Sequence, residues 1–412
     1  MAGYAARSSG TTGILDPTTA RAAVLDGAAI VAVDVCALHE VTCDAIREQT
    51  SGAVEWCIVT ATHTHSGPCA ARGRLGPHLP DLEERIIKAA VAAIRRAAHD
   101  VEPCSLDIRS VRGLEIAHDR RRDRVVDPPL SVVTARRRDG TVHGTIAHFA
   151  CHPVVIDGAN TLISGDYPAA LREELERLDG GTAVFLTGCA GDINTGHTAE
   201  SSYAPTGLER RSPGEARRIG GLMARAVGSV PRRALSLRPL QAAICEVSLP
   251  IDAVAPADVA ADRSAWTVEY GTADSERRAL LRAWIDWADR ILADPDPSAD
   301  GASLSWTGRV TVLHLGELVI AALPGEPFLV TADRLESAFT ATGTIGAILV
   351  LGYADGVPGY VPPLEAYRDG GYEVVDAHRY YSSRGPFVCG AAESLEAGAL
   401  EALARATGEG RS

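Results

Sequence analysis

Apolar and polar positions fall into short alternating blocks along the first half of the chain. Ala29-Ile30-Val31-Ala32-Val33-Asp34-Val35 is strand-like, a helical pattern follows around Val41 to Gln49, and a second strand is predicted from Trp56 to Thr60. From Asp81 to Ala98 the residues Leu82, Ile86, Ala90, Ala93 and Ile94 recur at helical spacing behind the start signal Pro80. Leu130 to Thr134 and Val142 to Phe149 read as strands joined by the turn Arg138-Asp139-Gly140-Thr141, since Asp-Gly favours a hairpin. Helices are then predicted from Tyr167 to Leu178 and Pro213 to Val227, with a buried strand at Thr182 to Thr187 between them. This rhythm predicts α/β layering. Later, Leu240 to Ile251 and Arg309 to Leu323 read as neighbouring strands, separated by a charged helix from about Ala273 to Leu292 and by a loose segment, 294–301, expected to be a surface loop. There is no internal repeat and no long linker. Residues 1–412 are therefore expected to form a single composite α/β domain, a mixed-sheet core flanked by helices.

Composition narrows the function. Of the 412 residues 46% are hydrophobic and 23% charged, as in a folded globular protein, and 40 basic against 53 acidic residues give a net charge of -13. That field repels phosphate backbones and anionic lipid, so neither nucleic acid nor stable membrane association is expected. Lys88 is the only lysine and sits on a predicted helix face, which argues against Schiff-base chemistry. The nine cysteines are scattered without a CxxC pair, indicating neither a disulfide framework nor a thiolate zinc knuckle. With no apolar segment near the N-terminus resembling a signal peptide, the expected location is cytoplasmic. The expected partner is a small-molecule substrate; homo- or hetero-oligomers are left open.

Four segments carry chemistry. In Thr62-His63-Thr64-His65-Ser66-Gly67-Pro68, residues two apart in an extended chain point to the same side, so His63 and His65 can converge on one point. His148-Phe149-Ala150-Cys151-His152-Pro153 places another histidine at the end of a predicted buried strand, where α/β proteins build sites. Leu323-Pro324-Gly325-Glu326-Pro327 sets a carboxylate on a tight turn. Gly188-Cys189-Ala190-Gly191-Asp192-Ile193-Asn194 is a glycine-rich turn after a strand, suited to close approach of backbone amides to a substrate, with Asp192 able to orient a histidine or water.

In this order the segments resemble the catalytic domain of the neutral/alkaline, non-lysosomal ceramidase family, zinc amidases acting on N-acyl sphingosine. His63-Thr64-His65-Ser66-Gly67-Pro68 is similar to the family's HTHSGP, Phe149 to Pro153 to its NFAxHP, Pro324-Gly325-Glu326 to its PGE, and Gly359-Tyr360-Val361 with the trailing Tyr367 and Tyr372 to its YVTT region. The resemblance spans roughly residues 28 to 375. It implies zinc held by His63, His152, Glu326 and Tyr360, with His65 beside the metal as a substrate or transition-state contact. It also implies that Arg120 meets substrate oxygen charge, although Arg121 and Arg122 leave that register open. Three features depart from the family. Asn194 stands where the family's GDVSPN segment has a serine proposed to take part in amide cleavage, and neither a secretory signal nor a C-terminal immunoglobulin-like domain is expected.

The expectation is thus a zinc-dependent hydrolase of an amide or related acyl bond in a small soluble substrate. His65 and Arg120 would stabilise the oxyanion, Asp192 would orient the site, and Asn194 would be a polar substrate contact. The alternative is the same scaffold recruited to non-hydrolytic chemistry, intramolecular substitution or ring formation in natural-product biosynthesis, with zinc as Lewis acid. A non-catalytic zinc protein is a third reading, disfavoured because every ligand of the resemblance is retained.

Overall fold

The main strands bury both faces, and the two faces belong to different cores. In the computed structural model, which describes all residues except 6, 8–9, 200–209, 295–303, 342–344 and 409–412, the strand Ala28–Val33 divides by strict alternation. Ala28, Ile30 and Ala32 meet Leu313, Ile320 and Leu349 in a central core, while Ala29, Val31 and Val33 meet Ile46, Ala90 and Ile94 on the other side. The strand Leu318–Ala322 divides likewise: Leu318, Ile320 and Ala322 join the central core, and Val319 and Ala321 pack with Leu335, Phe339 and Leu395. The result is four layers, helix, sheet, sheet, helix.

One sheet layer holds two pieces. A three-stranded sheet runs in the order Ala20–Leu25, Ala28–Val33, Trp56–Ala61, and a five-stranded sheet in the order Thr182–Thr187, Val142–Phe149, Leu130–Arg136, Ser105–Val111, Arg233–Ala234. The facing sheet has the order Gln241–Pro250, Ser305–Leu315, Leu318–Ala322, Ala347–Leu351. Helices Glu40–Thr50, Pro80–His99, Asp166–Asp179 and Pro213–Gly228 cover the first layer, and Leu329–Thr340 and Ala391–Thr407 cover the second. Each of the three parallel pairs in these three sheets spans one helical crossover: Ala28–Val33 with Trp56–Ala61, Val142–Phe149 with Thr182–Thr187, and Leu318–Ala322 with Ala347–Leu351. A parallel pair needs such a crossover, which accounts for the strand and helix rhythm of the sequence.

The predicted mixed α/β core is therefore present, with two local differences. The single strand expected from Arg309 to Leu323 is two antiparallel strands, because Gly316 adopts φ +74° and turns the chain where a Cβ would lie 2.5 Å from the Ser236 carbonyl. The helix expected from Ala273 to Leu292 is Ser275–Ala293, and a preceding helix, Pro256–Tyr270, completes a hairpin. That first helix buries only Val259 and Trp266, too little for a clear apolar stripe. Of the segment 294–301, residues 295–301 lie outside the described residues. The hairpin packs through its tryptophans on Arg379, whose guanidinium lies 4.6 Å from the Trp284 ring, 5.2 Å from Trp266 and 5.6 Å from Trp287. No helix among the described residues is long and apolar enough to cross a membrane. All nine cysteines are free thiols.

A buried ion pair joins the first sheet to its helical cover. Arg172 donates from both terminal nitrogens to Asp34, each at 2.8 Å, and Asp34 also accepts from the backbone and hydroxyl of Thr19 and from the Thr62 hydroxyl. Burial opposes ionisation of Asp34, but Arg172 and the Thr19 donors outweigh it and hold its pKa below the usual value. A depressed carboxylate adds stability that is present above its unfolded pKa of about 3.9 and is lost as pH falls toward the folded value. Arg172→Leu should lower unfolding free energy by about 3–5 kcal/mol, because it strands a buried charge. Denaturant midpoints at pH 7 and below pH 4 check this: the deficit should shrink in acid, and an equal deficit at both values contradicts it.

Candidate metal centre

Every residue of the centre follows the C-terminal end of a parallel strand, where such sheets leave room for a site. Beyond Ala61 the chain continues its pairing, with Thr62 N donating to Val33 O and His63 N to Val35 O. His63 then adopts φ +66°, a left-handed conformation that costs an imidazole-bearing residue about 1–2 kcal/mol. The expected extended geometry is thus replaced by a turn, yet His63 and His65 still meet edge to face at 4.9 Å, with their Nε2 atoms 3.2 Å apart. Beneath His63, Tyr353, also left-handed at φ +57°, stacks at 4.2 Å.

His152 enters from the strand Val142–Phe149 and Glu326 from Leu318–Ala322. Glu326 and Tyr360 are register partners in a two-residue parallel ladder, so one ladder step delivers both side by side. Gly191 is the close-approach point: a Cβ there would lie 2.4 Å from the Glu326 carbonyl, and its N–H donates to Pro327 O. The glycine-rich turn therefore serves packing against the Glu326 turn, where approach to a substrate was expected.

The three sets of ligand atoms converge. His63 Nε2 lies 3.4 Å and His152 Nε2 3.1 Å from Glu326 Oε2, and the three residues are fully buried. Each histidine Nδ1 lies nearest to backbone carbonyls, His63 to that of Cys36 at 2.6 Å, with the Cys36 thiol farther off at 3.8 Å, and His152 to those of Ala190 and Ile193 at 2.6 and 3.0 Å. Carbonyls accept, so Nδ1 carries the proton and a neutral ring presents a bare Nε2. Burial lowers the His63 pKa to about 4, keeping it neutral at pH 7. The Tyr381 hydroxyl donates to the other oxygen of Glu326, Oε1. Three acceptors thus face one point, an arrangement repulsive on its own and favourable around a divalent cation. The donor set fits such an ion, and the Nδ1–H···O=C bonds are the outer contacts that orient metal-ligating histidines.

The other expected residues divide. The Tyr360 hydroxyl lies 3.5 Å from His152 Nε2, and its ring is stacked near-parallel to that imidazole. Arg120, not Arg121, reaches this side: its guanidinium lies 5.4 Å from the Tyr360 ring and donates to Glu373 and to Gly191 O. Arg121 instead binds Glu373 and Gly370 O. Among the described residues Asp192 makes no hydrogen bond to a histidine; its Oδ1 accepts from Leu329 N at 2.9 Å, tying the glycine-rich turn to the start of helix Leu329–Thr340. Burial raises its pKa to about 6. Asn194, expected to contact substrate, commits its side chain to its own loop, accepting from Gly196 N and His197 N and donating to His197 O. Tyr372 packs edge-on to Tyr360, whereas Tyr367 bonds Phe387 O.

Sequence reasoning missed Tyr381, whose hydroxyl donates to Glu326 Oε1, and Tyr353. Neither lies in a distinctive motif. It also missed Tyr4, whose ring meets His65 at 5.1 Å.

Fold and site together define an α/β protein with a buried two-histidine, one-carboxylate candidate metal centre. No family model matches the chain. A stretch of 151 residues, 32% of the chain, is 32% identical to the neutral ceramidase of Mycobacterium tuberculosis (strain ATCC 25618 / H37Rv) and covers only 23% of that protein. Among solved structures, a ceramidase complexed with C2 aligns with 99% of this chain and 72% of its own, with TM-score 0.73 and 17% identity. The neutral ceramidase of Pseudomonas aeruginosa aligns with 92% of this chain and 66% of its own, with TM-score 0.66 and 17% identity. The chain is thus homologous to a neutral ceramidase over part of its length and shares the ceramidase fold over nearly all of it.

The acceptor convergence makes a stability prediction. Divalent metal at about 100 times its Kd should stabilise the protein by about 2.7 kcal/mol. The same addition should leave the melting temperature of a His63→Ala, His152→Ala double variant unmoved. Equal shifts in both proteins, read by calorimetry, would place the metal elsewhere.

Proposed function

We propose that this protein is a zinc-dependent hydrolase that cleaves the amide bond of a ceramide-like N-acyl substrate, with His63, His152, Glu326 and Tyr360 as the zinc ligands. The observation that carries this reading is the meeting of two bare Nε2 atoms with Glu326 Oε2 beside the Tyr360 hydroxyl. Nitrogen and oxygen donors in this number suit zinc. Bound there, zinc supplies Lewis-acid polarisation of an acyl carbonyl and activation of water near neutral pH.

The chain's own groups do the remaining work. His65, its Nε2 3.2 Å from that of His63, stands next to the ligands without being bonded to Glu326, so it is placed to hold or pass a proton at the leaving nitrogen. Arg120 is immobilised by Glu373 and Gly191, and its charge lies against Tyr360; it favours the phenolate and the negative charge that develops on the acyl oxygen. Tyr381 fixes the second oxygen of Glu326, so that Oε2 keeps its aim.

Asn194 favours a second reading. A loop closed by an asparagine side chain offers no hydroxyl to the reaction, which is compatible with Lewis-acid ring formation or intramolecular substitution without water.

Incubation of the zinc-loaded protein with N-acyl amines of short and long acyl chain separates these readings. Release of equimolar acid and amine is expected, and His65→Ala should reduce kcat by about 10²- to 10⁴-fold. Asn194→Ala should act mainly on stability, by about 1–3 kcal/mol, through its loop. No acid from any substrate in the wild type, with amidase activity appearing in Asn194→Ser, overturns the hydrolase reading in favour of the non-hydrolytic one.

A further inference from the structure

The first residues of the chain lie against the metal centre. Ala2 and Tyr4 are buried, and Ala2 N donates to Gly67 O, just past the His63-Thr64-His65 turn. The Tyr4 hydroxyl donates to Ile156 O at 2.7 Å and accepts from Arg211 at 3.3 Å, and its ring meets the His65 ring edge to face at 5.1 Å. Arg7 donates to His65 O at 2.9 Å and to Ala2 O at 3.2 Å, and its guanidinium lies 4.9 Å from the Tyr4 ring. It also reaches Asp157 O at 3.4 Å. Gly3 adopts φ +97°, and a Cβ on it would sit 2.5 Å from the His65 ring. The segment therefore touches the imidazole directly and joins the loop of His65 to the loop that follows His152.

We propose that Ala2, Gly3, Tyr4 and Arg7 form a positioning strap for His65, holding its imidazole between Gly3 and Tyr4 on one side and His63 on the other so that Nε2 stays turned into the metal centre. Unlike His63 and His152, whose Nδ1 atoms are anchored on backbone carbonyls, His65 has a buried Nδ1 without a hydrogen-bond partner among the described residues. Packing has to fix its rotamer, and the strap is what packs on it. Glycine is needed at position 3 for two reasons, its left-handed backbone and the absence of a Cβ at the ring face. Tyr4 ties that contact to the loop of the second histidine ligand. Among the described residues no hydrogen bond or ion pair joins the strap to Glu326, so the strap acts through His65.

The inference rests on the hydrolase reading for its kinetic consequence, and a second readout is independent of turnover. Removal of residues 2–7, Gly3→Ala and the milder Tyr4→Phe are compared in the full chain. Zinc content should be unchanged, because His65 is outside the proposed ligand set. With N-acyl substrate, kcat should fall about 10- to 100-fold in Gly3→Ala and in the deletion, as expected for a misplaced catalytic group, with KM within about twofold. Tyr4→Phe, which keeps the ring, should fall between these and wild type. Independently, carbethoxylation of His65 by diethyl pyrocarbonate, followed by peptide mass spectrometry, should be about tenfold faster in the deletion than in wild type, while exposed His99 reacts equally in both. If the wild type turns over no substrate, the hydrolase reading fails while the labelling arm still decides the strap. Unchanged His65 labelling in both the deletion and Gly3→Ala, with zinc retained, overturns the strap; so does a loss of zinc that matches the loss of activity.

Discussion

The centre of this molecule is a conflict of like atoms. Two imidazoles commit their single protons outward to backbone carbonyls and turn bare nitrogens on a buried carboxylate that is itself an acceptor. An arrangement of that kind persists only where the surrounding packing dictates it. Here the dictating parts are specific: the ladder that sets Glu326 beside Tyr360, the Tyr381 hydroxyl on the other carboxylate oxygen, and the Gly191 contact that lets one turn lie on the next. The left-handed His63 and Tyr353, stacked on each other, show backbone strain concentrated at the same place.

Much of this was legible from residue order alone. Two of the parallel pairs, Ala28–Val33 with Trp56–Ala61 and Val142–Phe149 with Thr182–Thr187, announce themselves as apolar runs around a helical periodicity, so the fold class could be read and candidate donors stand just after those runs; the pair Leu318–Ala322 with Ala347–Leu351 and its helix Leu329–Thr340 did not show in the sequence pattern. What could not be read was how side chains far apart in sequence are divided between roles. Asn194 and Asp192 sit in a turn that looks built for substrate, and only their partners reveal that one closes its own loop and the other caps the approach to a helix. Tyr381 and Tyr4 carry no motif, and their importance comes from tertiary contact with residues more than 50 positions away. Arg120 and Arg121 illustrate the same limit. Adjacent and chemically identical, they are sorted by a single residue of register, one toward Tyr360 and the other toward Phe328.

The helical hairpin between Gln241–Pro250 and Ser305–Leu315 stands outside the layers it is joined to. Its host strands pair along their full length, so the sheet is indifferent to what connects them. The hairpin brings its own apolar cluster, and it leans on Arg379, close in sequence to the tyrosine that holds Glu326. It therefore supports the far wall of the centre through a cation held between indole rings.

The spacing of the ligands also governs how the chain reaches this state. His152 and Glu326 are 174 residues apart, and His152 and Tyr360 are 208 apart. Closing loops of that size adds little to the equilibrium cost, which grows only with the logarithm of length, but it slows assembly. During synthesis the first half emerges with Ile30, Ile58, Ile146, Val184 and Leu186 on a sheet face whose cover, the strands bearing Leu313, Ile320 and Leu349, has yet to be made. An uncovered apolar face of this kind favours aggregation in a partly synthesised chain. Glu326 and Tyr360, which complete the candidate metal centre, follow the same strands that bury this face, so centre and cover are supplied by one part of the chain.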